Sequence, residues 1–205
     1  MELHPGAKIV YVDETGFNLY TMRTRGRAPV GERAIRTVCG SKGANTSVIA
    51  AISDQHADGV LYYEVVQGGV NREKFANFMQ SLSAIIGEDD PIKIVMDNAP
   101  CHHNIGQLVV MPDNQEVVKL PPWSPFLNPI ENCFSVMKSA AKRRLAEEQP
   151  RLNSREAATA AGFTVKAWRD ELLRQAIVYS MGAVTQEKVA NEYQFANWHV
   201  PACAA

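Results

Sequence analysis

The sequence predicts an α/β fold: a mixed β-sheet with helices on both faces, followed by a helical C-terminal extension. Three observations carry this. Two short β-branched runs, at 8–13 and 92–97, each end in an aspartate; a block of strand-like runs up to residue 66 contains no helical spacing; and from residue 71 strand and helix patterns alternate. Strands that first follow one another antiparallel and are then joined through helices make a mixed, helix-covered sheet. With 205 residues, 46% of them hydrophobic and 21% charged, the chain can bury one substantial core. The expected division is a catalytic-type α/β unit over 1–149 and a helical extension over 150–205 packed on it.

The first run, Lys8-Ile9-Val10-Tyr11-Val12-Asp13, is apolar and β-branched, the pattern of a buried strand. Residues 17–22 are expected to return beside it. A third strand is predicted over 46–53 and a fourth over 59–66, separated by the turn-forming Asp54-Gln55-His56-Ala57-Asp58-Gly59. Asn71 offers an N-cap to a helix whose apolar face is Phe75, Phe78, Met79, Leu82 and Ile86, ending at Gly87. Residues 92–97 form the next strand, and a shorter one over 116–120 is stopped by Pro121-Pro122. Asn128 as cap and Pro129 in the first helical position predict a helix to about residue 148, with Ile130, Phe134, Met137 and Ala141 on one face. Pro150 breaks it, and the Ala-rich remainder, with Phe163, Trp168, Leu172, Leu173 and Ile177, predicts further helices.

Composition narrows the function classes. No run approaches the roughly 18 apolar residues of a membrane span, and the first residues lack a signal-peptide pattern, so an intracellular protein without membrane contact is expected. Cys39, Cys101, Cys133 and Cys203 form no C-x-x-C pair, which speaks for reduced thiols over a zinc ribbon or disulfide framework. The net charge is −1, but it is unevenly spread. Arg23, Arg25, Arg27, Arg33, Arg36 and Lys42 share their stretch with a single acid, Glu32, and Lys138, Lys142, Arg143 and Arg144 form a second cluster. Such clusters make two basic surfaces suited to phosphates, or plain solvated faces.

Chemistry is concentrated in three acids. Ligands of open α/β sheets bind beyond the carboxyl ends of parallel strands; if the strands ending in Asp13 and Asp97 are neighbours, the two carboxylates face each other. Paired carboxylates repel unless a cation lies between them, and hard oxygen donors suit Mg²⁺ or Mn²⁺. Glu131, 34 positions beyond Asp97 at a helix start, could join them. Three carboxylates can hold two divalent ions about 3.5–4 Å apart, the arrangement that drives in-line displacement at a phosphodiester. Each acid also has a plain structural reading. Asp13-Glu14-Thr15-Gly16 and Asp97-Asn98-Ala99-Pro100 could be turns, and Asn128 with Glu131 could be a capping box.

At these residues the sequence resembles the DDE transposases of the mariner and related insertion-sequence superfamily. The resemblance rests on Val12-Asp13-Glu14-Thr15-Gly16-Phe17 with Arg25-Gly26-Arg27-Ala28-Pro29-Val30-Gly31, and on Asp97-Asn98-Ala99-Pro100-Cys101-His102. It continues through Leu120-Pro121-Pro122-Trp123-Ser124-Pro125-Phe126-Leu127-Asn128-Pro129-Ile130-Glu131-Asn132 with Lys138, in order across residues 8–145. It implies a ribonuclease-H-like five-stranded sheet, metal ligation and catalysis by Asp13, Asp97 and Glu131, and two Mg²⁺ or Mn²⁺ ions per site. The implied reaction is hydrolysis at transposon ends followed by attack of the freed 3′-hydroxyl on target DNA. His102 would lie beside the metals, against the phosphate or as a capping or core residue. Arg23, Arg25, Arg27, Arg33, Lys138 and Lys142 are the expected DNA contacts.

Trp123 and Phe126 stand where the family usually has a tyrosine and an acid, and Phe134 where a tryptophan is usual. The family carries helix-turn-helix modules ahead of the catalytic domain, whereas here the first strand begins near Lys8. Weak, largely sequence-independent DNA binding is therefore expected, with a homodimer left open. The alternatives are a transposase-derived binding protein and a structure-selective nuclease of the same fold. The extended 25–31 motif resembles animal members, implying a nuclear location in a eukaryote; otherwise the cytoplasm is expected.

Overall fold

The computed structural model describes residues 8–20, 27–35, 43–87 and 90–199. Strands β1 (Lys8–Phe17), β2 (Thr46–Ile52) and β3 (Val60–Gln67) form an antiparallel meander. Helix α1 (Arg72–Ile86) then crosses to β4 (Ile92–Met96), which lies parallel to β1, and β5 (Gln115–Lys119) lies parallel to β4. The five strands run in the order β3-β2-β1-β4-β5. Helix α2 (Ile130–Glu147) follows, and then α3 (Gln149–Leu152), α4 (Arg155–Ala160), α5 (Val165–Met181) and α6 (Gln186–His199).

The central strands are buried on both faces, which is why their sequences are nearly continuous apolar runs. Side chains alternate between the faces with a period of two. Val10, Val12, Ile94 and Met96 pack under α1, against Phe75, Phe78, Met79 and Leu82. Tyr11 and Val95 point the other way, into a second cluster with Phe134 and Met137 of α2 and Leu172, Leu173 and Ile177 of α5. That same cluster takes in Leu152, Ala158, Val189 and Tyr193, so the helices beyond α2 share its core. The Tyr193 hydroxyl of α6 reaches the carbonyls of Ile9 (3.1 Å) and Ile52 (2.7 Å), and its ring meets Tyr11 edge-on at 5.0 Å. No helix among the described residues is long and apolar enough to cross a membrane.

Two expectations are corrected. No return strand begins over 17–20: β1 itself continues to Phe17, because β2 keeps pairing with it up to Phe17 opposite Thr46, and Leu19 and Tyr20 form a turn. Residues 21–26 lie outside the described ones. Asn128 does not cap α2 through its side chain, and Pro129 takes the capping position instead. The expected cap at Asn71 is present, its side chain accepting from the Lys74 N–H at 2.9 Å.

The β2–β3 turn is also the floor on which α6 begins. Gly59 has φ +75°, and a Cβ there would stand 2.8 Å from Val189 Cγ2 and 3.0 Å from the Gln186 nitrogen. A left-handed conformation and a backbone clash both oppose any side chain. Gly59→Ala is therefore expected to cost about 2–4 kcal/mol of stability in urea unfolding; a loss below about 0.5 kcal/mol would show that α6 does not seat on this turn.

Candidate active site

The strand period decides where each acid goes. Tyr11 faces α2, so Asp13, two residues further along β1, faces α2 as well, and Asp97 is the first residue beyond the end of β4. The parallel register ends at Tyr11 paired with Val95, two residues before Asp13 and Asp97 on their respective chains, so both acids lie at the same end of the β1–β4 pair. Asp13 is not at a strand end, as the sequence implied: it lies within β1 at the point where β4 has ended and only β2 still pairs with it. Glu131 enters from the first turn of α2. Asp13, Asp97 and Glu131 line one cavity of about 430 Å³, together with Asn98, Asn128 and the 120–125 segment.

Asp13 is buried, and its carboxyl is pushed up to about 8. Burial is the main cause, and the nearby charges of Glu131, Glu14 and Asp97 add to it, opposed by the Glu14 N–H that donates to Asp13 Oδ1 at 2.7 Å. The other carboxylate oxygen accepts from Asn128 Nδ2 at 2.9 Å. Asn128 thus leaves its expected helix-capping role to hold Asp13, while its own Oδ1 is buried without a protein partner. A buried acid crowded by three others is the situation a divalent cation relieves.

Glu14, one residue on, points to the opposite face of the sheet. There it meets His102, which is fully buried and stacks on Phe75 of α1 with ring centroids 4.1 Å apart. His102 Nε2 lies 2.8 Å from Glu14 Oε2 and Nδ1 lies 2.7 Å from Asp97 Oδ1. Each ring nitrogen faces a carboxylate, an arrangement that favours the protonated imidazolium. Burial alone would lower the imidazole; the Glu14 hydrogen bond and the charges of Glu14 and Asp97 outweigh it and raise it above its ordinary value. Burial would likewise raise Glu14, but His102, Cys101 and Lys119 hold it below the usual carboxylate range. Lys119 donates to the carbonyls of Asp97 and His102, each at 3.1 Å, closing the 97–102 loop.

His102 therefore orients Asp97 and lies too deep to touch a phosphate. Glu14, Cys101 and His102 form the one three-residue group, among the described residues, whose ligand atoms lie within 4.8 Å of one another. It is a closed hydrogen-bond network. The Cys101 thiol, pushed up to about 12 mainly by burial, donates to Glu14 Oε1 at 3.0 Å, and both imidazole nitrogens are engaged. The donors facing the cavity are carboxylate oxygens, which fit hard divalent ions.

Of the expected DNA contacts, Lys138 and Lys142 are half-buried on α2, and Arg27 and Arg33 are exposed in 27–35. Arg23, Arg25, Arg36 and Lys42 lie outside the described residues. Lys138 and Lys142 follow Glu131 by 7 and 11 positions, which places them on the same stripe of the helix, roughly 10 and 16 Å along its axis. Glu14, Lys119 and Asn128 are site residues that the sequence does not mark as such. Asn128 was masked by a plausible cap, and the other two are recognisable only once strand parity is known.

The sequence matches the DDE superfamily endonuclease family over residues 8–153. A comparison with curated proteins finds no match. Among solved structures, a pre-cleavage Mos1 transpososome aligns with TM-score 0.50 at 20% identity, covering 92% of this chain and 55% of that one. A Mos1 transposase paired-end complex with the left transposon end aligns at 0.52 and 21%, covering 91% and 53%. A Mos1 mariner paired-end complex with Mn aligns at 0.52 and 19%, covering 95% and 55%. The chain spans about half the length of these chains. The shared architecture is the ribonuclease-H-like mixed sheet with C-terminal helices, as in Mos1 transposase. With its matched segment spanning the whole sheet and α2, this chain belongs to the DDE superfamily of endonucleases.

Proposed function

We propose that this chain is the catalytic domain of a DNA transposase, which cuts phosphodiesters and joins the freed 3′-hydroxyl to target DNA with two Mg²⁺ or Mn²⁺ ions held by Asp13, Asp97 and Glu131. The observation that carries this reading is the meeting of Asp13 of β1 and Asp97, the residue that follows the parallel neighbour β4, in one cavity to which α2 brings Glu131. Two divalent ions bound there would activate the attacking oxygen and stabilise the leaving one. The chain's own residues prepare the site. Asn128 holds Asp13, His102 and the Ala99 N–H (2.9 Å) hold Asp97, and Lys119 fixes the loop between them. Lys138 and Lys142 extend from Glu131 as a basic stripe able to hold the strand that enters the cavity. Mos1 complexes with a transposon end and with Mn support DNA and a divalent ion as the partners.

Phosphate contacts fix position without reading sequence, so DNA binding by this chain alone is expected to be weak and salt-sensitive, with little sequence preference. The test of the function is nicking of supercoiled plasmid in Mg²⁺ or Mn²⁺ by the wild type and by Asp97→Ala. Nicking that needs metal and falls by roughly 10³-fold or more in the variant, about 4 kcal/mol of transition-state stabilisation, supports the reading. Equal nicking by both proteins refutes it. Nicking by neither favours a transposase-derived binding protein.

A further inference from the structure

The segment joining β5 to α2 contains the one bulky residue among the described residues that has a left-handed backbone. Trp123 has φ +61° and is 95% exposed, yet it lines the same cavity as Asp13, Asp97 and Glu131. A bulky side chain at positive φ is disfavoured and persists only where its surroundings hold it. Here they do. Pro121, Pro122 and Pro125 restrict the backbone on either side of Trp123, and the Ser124 hydroxyl donates to the Pro122 carbonyl at 3.3 Å. The segment is fastened to both aspartate strands: Asn98 Nδ2 donates to the Leu120 carbonyl at 2.6 Å, and Asn128 Nδ2 donates to Asp13. The indole thus gains no burial from the fold and sits on a backbone frame anchored beside the candidate catalytic acids, so that little backbone freedom is lost when something lies against it.

The cavity lining combines the carboxylates of Asp13, Asp97 and Glu131 with an apolar set supplied by one segment, Leu120, Pro121, Pro122, Trp123 and Pro125. A nucleotide has the same division, a charged phosphate and a flat base with an apolar face. A paired base inside a duplex presents only its edge, so a base that stacks on an indole has left its pair. We propose that Trp123 is a stacking platform for an unpaired nucleobase adjoining the phosphate held at the acids, so that the site takes DNA opened at the point of reaction. This rests on the nuclease reading above for which phosphate is held, and it assigns to Trp123 a substrate contact independent of metal ligation. Phe126, half-exposed three residues further along, borders the same segment.

The test compares three DNAs bound by the full chain with Ca²⁺ in place of Mg²⁺: a blunt duplex, the duplex with a two-nucleotide 3′ overhang, and that overhang made abasic. The wild type is expected to prefer the base-bearing overhang to the abasic one by about 5- to 150-fold, with quenching of indole emission. Trp123→Ala is expected to remove that preference, with a larger loss on the base-bearing overhang than on the blunt or abasic DNA, and Trp123→Phe to restore much of the preference but not the quenching. Equal affinity for base-bearing and abasic overhangs, a Trp123→Ala loss equal on all three DNAs, or no binding to any of them overturns the proposal. Plasmid nicking by the same preparation separates the two readings. Metal-dependent nicking without a base preference overturns stacking alone, and a base preference without nicking overturns the nuclease reading and leaves stacking in place.

Discussion

Asp13→Asn is expected to abolish metal-dependent nicking while making the metal-free protein more stable at pH 8. The reason is the carboxyl held at about 8 by burial and by the surrounding acids. In the unfolded chain it titrates near its ordinary value of 3.8. The folded state therefore binds more protons between these limits, and stability falls as pH rises through them. The stabilising effect of the neutral acid is complete below about pH 4 and lost by about pH 8, a change on the order of 5 kcal/mol. Asparagine is the neutral shape at every pH, so the slope should flatten. Part of the gain is offset, because Asp13 accepts from both the Glu14 N–H and Asn128 Nδ2 and an amide has one acceptor oxygen, a loss of about 1 kcal/mol. Melting curves from pH 4 to 8 with a chelator measure this directly. In the wild type a divalent ion should reverse the trend, since it binds the ionised acid and adds about 2.7 kcal/mol at a hundred times its dissociation constant. Parallel slopes for wild type and Asp13→Asn would show that Asp13 is not the group that titrates.

His102→Ala should be the most damaging single truncation near the site, at about 3 kcal/mol. Removing one member of a buried charge network leaves its partners uncompensated, which typically costs about 3–5 kcal/mol. The lower end applies because the side chains of Glu14 and Asp97 are 21% and 47% exposed and can recruit water. The stacking of the ring on Phe75 is lost as well. The variant should also nick more slowly, because Asp97 loses the partner that fixes its carboxylate. Urea unfolding showing a loss below about 1 kcal/mol would mean that the His102–Glu14–Asp97 network adds little to the fold.

How much of this was legible in the sequence depended on distance along the chain. The apolar runs ending near Asp13 and Asp97 announced strands, and the helical spacing of Phe75, Phe78, Met79 and Leu82 announced α1, because those patterns are local. The end of β1 was not local. Whether the chain stops at Asp13 or continues to Phe17 is decided by β2, whose register lies some thirty-five residues away. Asn128 misled for a different reason: an asparagine before a proline-led helix is a sound cap, and only the fold shows that its amide reaches Asp13 instead. Glu14 and His102 each lie within a recognised motif, yet their pairing spans 88 positions and is set only by the fold. The left-handed backbone at Trp123 has no sequence signal, since glycine or asparagine would be expected there.

Calorimetric titration with Mn²⁺ measures whether Asp13, Asp97 and Glu131 hold two divalent ions. The expected result is two ions per wild-type chain, fewer in Asp13→Asn and Glu131→Gln, and an unchanged number in Cys101→Ser. No binding by the wild type would contradict it, as would binding that survives the loss of Asp13 and Glu131 but disappears with Cys101, because the ions would then lie in the Glu14–Cys101–His102 cluster beneath the cavity.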